Sequence, residues 1–162
     1  MHTNAFFVIK INESQLAGAV AAIANCSLEA VTITALKHAE KRAKDGAAIL
    51  HQRLVSIFTE KFVAKDFDVA GESQTVWQVA DVVRSRVDPD RITIFEPVMN
   101  HANSIAAVAT KFNDIARLER PPGRVAVVRQ KAELGTYLGV LSQAGSVIAQ
   151  DISNSAIERL AA

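Results

Sequence analysis

A seven-residue recurrence of Leu36, Ala43, Leu50 and Ile57 constrains this chain more than any other feature of it. Ala47 and Leu54 fall four places after Ala43 and Leu50, so all six share one stripe of a helix. The pattern predicts a helix from Ser27 to Phe62, about 50 Å long at roughly 1.5 Å per residue. So narrow a stripe on so long a helix needs partners along its whole length. Ser27 suits the N-cap, and Glu29 in the first turn opposes the helix dipole. Glu40 and Lys44 form a favourable pair one turn apart. Gly46, in mid-helix at a cost of about 1 kcal/mol against Ala, predicts close approach of a neighbouring helix.

The flanking segments read as follows. Ala5 to Ile11 alternates Phe7, Ile9 and Ile11 with Val8 and Lys10, a strand pattern. Ser14 then caps a short helix carrying Leu16, Val20 and Ile23, which Asn25 ends. Thr75 to Val87 places Val76, Val79, Val83 and Val87 at helical spacing, although its valines also favour a strand; the spacing predicts a helix. Asp88-Pro89-Asp90 is a turn, and Arg91 to Glu96 a second strand that Pro97 stops. Asn100 to Leu118 is an amphipathic helix burying Ile105, Val108, Phe112 and Ile115. Pro121-Pro122-Gly123 is the clearest break in the chain. From Arg124 to Leu160, the residues Leu134, Leu138, Leu141, Gly145, Ile148 and Ile152 alternate by four and three, predicting a last helix with a coiled-coil seam. Gly135 and Gly139 lie one turn apart on it and would let another helix come close. The expected fold is α+β and predominantly α-helical: a single domain of long amphipathic helices packed with a small antiparallel sheet.

Chemistry is less well marked. Hydrophobic residues make up 49% of the chain and the net charge is +1, which describes a folded protein without global attraction to nucleic acid or anionic membrane. The single Cys26 excludes an internal disulfide, and His38, twelve residues on, is too far along the same helix to activate it. His38 and His51 match no metal-ligand spacing, and His38 beside Lys37 and Lys41 reads as solvated. The glycines form no phosphate-binding loop, so no cofactor is expected. Asp66/Asp68 and Asp88/Asp90 sit in turn-like settings. Two basic clusters remain: Lys37, Lys41, Arg42 and Lys44 on the long helix, and Arg117, Arg120, Arg124, Arg129 and Lys131 around the Pro-Pro-Gly break. Acidic residues interleave with both, and Trp77 among valines reads as core or interface. The N-terminus lacks the basic region of a signal peptide. No apolar stretch approaches the ~20 residues of a membrane span, and the run from Ala17 to Ala24 is too short. These features predict a cytoplasmic protein with no membrane partner.

One arrangement resembles a family. Phe6-Phe7-Val8-Ile9-Lys10-Ile11 leads into Glu13-Ser14-Gln15-Leu16 and a short helix, then a long alanine-rich helix ending near Phe58-Thr59-Glu60-Lys61-Phe62. This is similar to the opening of the neck and tail-completion proteins of tailed bacteriophages, over the first 62 residues. The resemblance implies a small, non-catalytic α+β subunit that forms homo-oligomeric rings at the head–tail junction, beside other structural proteins, and ends in the virion. Leu36, Leu50, Ile57, Leu134, Leu138, Leu141 and Ile148 are then the candidate oligomer interface. Arg117, Arg120 and Arg124 are the candidate contacts to a partner or, non-specifically, to DNA. Three other readings stand beside it: a small helical regulatory or adaptor protein dimerising through the Leu134 to Ile152 seam, an enzyme without a recognisable motif, and a nucleic-acid binder.

Overall fold

The computed structural model describes residues 10–161. Among the described residues 53% are helical and 23% lie in strands, an α+β protein. The chain divides into two compact units at Arg42/Ala43, where the sequence suggested a single domain.

Residues 10–42 are helical from Glu13 onward. Asn12, not Ser14, opens the helix: its N–H donates to the Gln15 side chain at 3.2 Å, and its own side chain accepts from the Ser14 hydroxyl at 2.9 Å. After one 3-10 turn the chain runs as a single helix, α1, Leu16–Phe58. Asn25 and Ser27 therefore lie inside a helix and neither ends nor caps one. The predicted strand at Ala5 to Ile11 falls outside the described residues up to position 9, and Lys10 and Ile11 are not in a strand.

Residues 43–161 build around one mixed sheet of five strands in chain order. Strands β1, Val63–Ala70, β2, Val76–Arg84, and β3, Ile92–Val98, form an antiparallel meander. β4, Gly123–Val128, and β5, Ser146–Ala149, then add in parallel beside β3. Parallel neighbours require crossovers. Helix α2, Ala102–Ile115, makes the first, and helix α3, Tyr137–Ala144, the second. Helix α4, Asn154–Leu160, follows β5. The sheet is thus neither small nor wholly antiparallel.

Each face of the sheet holds its own core. On one side α2 and α3 pack Ile105, Phe112 and Leu141 against Val79, Ile94 and Ala126. On the other, Leu50, Leu54 and Phe58 of α1 and Ile157 of α4 cover Val83, Phe95, Val125 and Ile148. The predicted face of α2 is the observed one: Ile105, Val108, Phe112 and Ile115 are all buried. Asp88-Pro89-Asp90 is the turn expected, closed by the Arg91 N–H to Asp88 O at 3.0 Å.

Two predictions fail for one reason. A strand covered on both faces shows no alternation, only a run of valines. β2 therefore mimicked a helix, although Val79, Val82 and Val83 are all wholly buried. In the same way the last predicted helix is really β4, a 3-10 turn at Lys131–Leu134, α3, β5 and α4. Four of its six seam positions are shared among the 3-10 turn, α3 and β5, Gly145 and Ile152 lie in the connections, and a Cβ at Gly135 or Gly139 would meet no described atom within 4 Å. β1 went unseen, with Asp66 and Asp68 inside it and not in a turn. Pro97 does not stop β3; it falls after the last β2–β3 pair, Asp81↔Phe95, where no antiparallel partner needs its missing N–H. A Cβ built at Gly46 meets no described atom within 4 Å, so that glycine marks no close helix contact.

Candidate functional site

The heptad stripe that opened the sequence changes character along α1. Leu50 and Leu54 are buried, whereas Leu36 is exposed. Leu16, Val20, Ile23, Leu28, Val31, Ile33 and Leu36 are each between 44% and 67% exposed. At about 100° per residue, Leu28 and Leu36 stand some 120° and 200° around the axis from Leu16, so these side chains do not form one face. A helix apolar on all sides belongs in the middle of a larger assembly or in a bilayer. The Thr32 and Thr34 hydroxyls donate back to the Leu28 and Ala30 carbonyls, both at 2.8 Å, so they ask nothing of solvent. Within Glu13–His38 an 18-residue window reaches a mean hydropathy of 1.6, so this helix is long and apolar enough to cross a membrane by length and composition. This corrects the expectation that no stretch reaches that size: Asn25, Ser27 and Glu29 interrupt the apolar run without lowering its average enough. Lys37 stands at the end of this stretch and Lys41 and Lys44 follow it, all exposed. Cys26 lies within this stretch and is exposed, which corrects its placement between two helices.

The remaining interface candidates are not on the surface. Leu50, Leu134, Leu141 and Ile148 are at most 5% exposed and lie within the cores of their own chain. Leu138 and Ile57 are half-buried against those same cores. Of the seven candidates only Leu36 offers its side chain freely to a second copy.

Polar groups that the sequence left apart come together in the folded unit. His51 of α1 places Nδ1 2.6 Å from Asp81 Oδ1 on β2. Asp81 is 1% exposed, and burial pushes its carboxyl above the ordinary 3.8, with His51 pulling it back. Lys65 stands opposite Asp81 on β1. On the other face, Lys111 of α2 donates to Glu96 Oε1 at 2.9 Å and to the Gln78 carbonyl at 2.6 Å. Glu96 Oε2 accepts the Ala80 N–H at 2.9 Å, continuing the β2 bonding where the β3 ladder stops. At the sheet's far end, Asp114 of α2 accepts from Trp77 Nε1 at 2.7 Å, from the Ser73 hydroxyl at 2.7 Å and from the Ser73 N–H at 2.9 Å. Those three donors hold its carboxyl below the ordinary range. Arg53 of α1 donates to the Gln150 and Ile152 carbonyls and to Asn154 Oδ1, holding the loop before α4. Each group joins one element to another.

The basic residues around Pro121-Pro122-Gly123 are not one patch. Arg117 and Arg120 are exposed between α2 and β4, whereas Arg124 is half-buried at the start of β4. Arg129 follows the other end of that strand, roughly 17 Å away at ~3.3 Å per residue. His101 caps α2: its Nδ1 accepts the Ser104 N–H at 3.2 Å. Among the described residues no three His, Cys, Asp or Glu side chains are grouped to hold a metal.

None of the paired polar groups could be read from the sequence, because each joins residues at least 15 positions apart, and Asp81 and Trp77 lie on β2, which the sequence suggested was a helix. Compared with known proteins, the chain matches no family model, no curated protein and no solved structure.

Proposed function

We propose that this protein is a non-enzymatic assembly subunit whose copies associate through the apolar part of α1, residues 16–36. One observation carries the reading: seven large aliphatic side chains on that stretch stand in solvent in the single chain. Covering them removes apolar surface worth about 25 cal/mol per Å² from water. The polar pairs of the folded unit support the same reading, since each fastens the fold. A ring in a phage-like neck is the narrower form of this proposal. The interface it uses is α1 around Leu36, not the leucines between Leu134 and Ile148.

Light scattering during size-exclusion chromatography of the full chain, over a wide concentration range, tests this. A discrete mass of several subunits is expected, and Leu28→Lys with Leu36→Lys should reduce it while circular dichroism keeps the folded signal. A monomer at every concentration overturns the proposal.

A second reading is favoured by the length and hydropathy of Glu13–His38 together with the basic residues that follow. In it, the same stretch crosses a bilayer, with Lys37, Lys41 and Lys44 at the cytoplasmic interface. Partition of the full chain into lipid vesicles, resistant to high salt and alkaline carbonate, would support it. Full extraction by carbonate rules it out.

A further inference from the structure

The cleft at the start of β4 and β5 has no part in the proposed assembly. It is a shallow cleft of about 840 Å³, widely open to solvent, and lies wholly within residues 122–160. Its walls carry Arg124 and Arg159, together with Ser142, Gln143 and Ser146, and no acidic side chain. Among the described residues neither arginine has an ion-pair partner.

Arg124 is the unusual member. Its Nε and Nη1 are buried and meet no hydrogen-bond acceptor. A guanidinium keeps its charge in a protein and presents its donors in a rigid fork. Buried donors of that kind are nearly always satisfied. The β-ladder fixes its position: Arg124 pairs with Ile94 on β3, and its neighbour Val125 with Ser146 on β5. Apolar residues line the other wall, with Ile152, Ala156 and Leu160 beside Arg159.

We propose that this cleft binds a phosphomonoester of a small apolar organic group, its phosphate held by Arg124 and Arg159. The choice of phosphate follows from donor count. Two guanidiniums, two hydroxyls and an amide offer more donors than a carboxylate's two oxygens accept. A phosphate has three terminal oxygens and, near neutral pH, close to two negative charges. Arg124 reaches it after a change of side-chain rotamer that uncovers Nε and Nη1. The apolar wall takes the organic group.

Calorimetry on the full chain tests this with two probes, phenyl phosphate and inorganic phosphate. Phenyl phosphate should bind saturably and more tightly than inorganic phosphate. Arg124→Leu should weaken it at least tenfold, and Arg159→Gln several-fold. Affinity should fall as pH drops below about 6, where the phosphate gains a proton. Arg124→Leu should also raise the melting temperature in phosphate-free buffer, since it removes buried unsatisfied donors. Arg124→Lys keeps the charge and the fold but not the fork, and should bind with intermediate affinity. Absence of saturable binding by either probe at millimolar concentration overturns the proposal. So does binding that neither Arg124 variant alters. Equal affinity for the two probes removes the organic ester and overturns that part.

Discussion

Leu36 and Leu50 are two heptads apart on one helix, and the same substitution should act on them in opposite ways. Leu50 is 4% exposed and Leu36 60% exposed. Leu50 packs in the core with Leu54, Phe58, Phe95 and Ile157. Leu50→Ala deletes buried methyl groups and leaves a cavity, so it should destabilise the folded unit by about 3 kcal/mol, within a range of roughly 2–5. For a folded unit of this size that lowers the melting temperature by about 10 °C. Leu36→Ala leaves no cavity, and alanine favours a helix at least as well as leucine. Its effect on the stability of the folded unit should stay within about 0.5 kcal/mol. Its effect should appear in assembly, where it removes apolar surface from each contact. The assay is urea unfolding followed by the fluorescence of Trp77, the single tryptophan, which packs against the core of residues 43–161. Comparisons belong at concentrations where wild type and variant have the same mass by light scattering. A loss at Leu36 equal to that at Leu50 would refute the division of α1 into an exposed and a buried part. A loss below about 1 kcal/mol at Leu50 would refute the core assignment.

Three further outcomes follow from the polar pairs. His51→Leu leaves Asp81 buried without its hydrogen-bond partner and should cost about 1–3 kcal/mol near pH 7. Asp81 already titrates above the ordinary 3.8, so its favourable contribution is full below that value and is lost as pH rises through its folded pKa. The His51→Leu deficit in urea midpoint should therefore shrink toward pH 4, and adding Asp81→Val should recover part of it at pH 7. Asp114 titrates below 3.8, so its contribution is present above that value and is lost as pH falls through the folded pKa. Asp114→Asn should lower stability near pH 7, where the carboxylate's contribution is present, and flatten the acid limb below about pH 3.8, where the variant and wild type converge; an unaltered acid limb contradicts this. A Cβ at Gly71 would lie 2.0 Å from Asp114 Oδ2 and 3.0 Å from Trp77 Nε1. Gly71→Ala should thus cost about 1–3 kcal/mol and shift Trp77 emission to the red, and unchanged emission would show that the hairpin tip relaxes freely.

What could be read from the sequence was what lay in one element with one exposed side. α2 is fourteen residues with a polar outer face, so Ile105, Val108, Phe112 and Ile115 announced themselves. The start of α1 did not, because Asn25 and Ser27 look like caps when only neighbouring residues are weighed. The parallel half of the sheet was hidden by its own burial. Val125, Ala126, Val127 and Val128 are all buried, and an apolar run of that kind carries no period. Gly145, just before β5, was the available signal, and it read as part of a helical seam only because the leucines ahead of it kept helical spacing. The exposed stretch of α1 was half seen: its stripe was recognised, but its apolar residues on the other sides were not added to it. The cleft needed β4, α3, β5 and α4 to be known first, so of its polar residues only Arg124 was named, and for a different role.

The two outer strands of the sheet bear on how such copies can safely meet. Among the described residues β1 and β5 are its edges. An edge offers unpaired backbone groups to any passing strand and invites fibre growth. Here β1 presents Lys65, Asp66 and Asp68 to solvent, and Asp66 turns to a φ of 50°, which breaks the extended backbone in mid-strand. β5 is four residues long. Neither edge makes a good template for amyloid-like extension. In the assembly proposed above, copies gathered through α1 would therefore crowd together without their sheets fusing, and their association would rest on side chains alone.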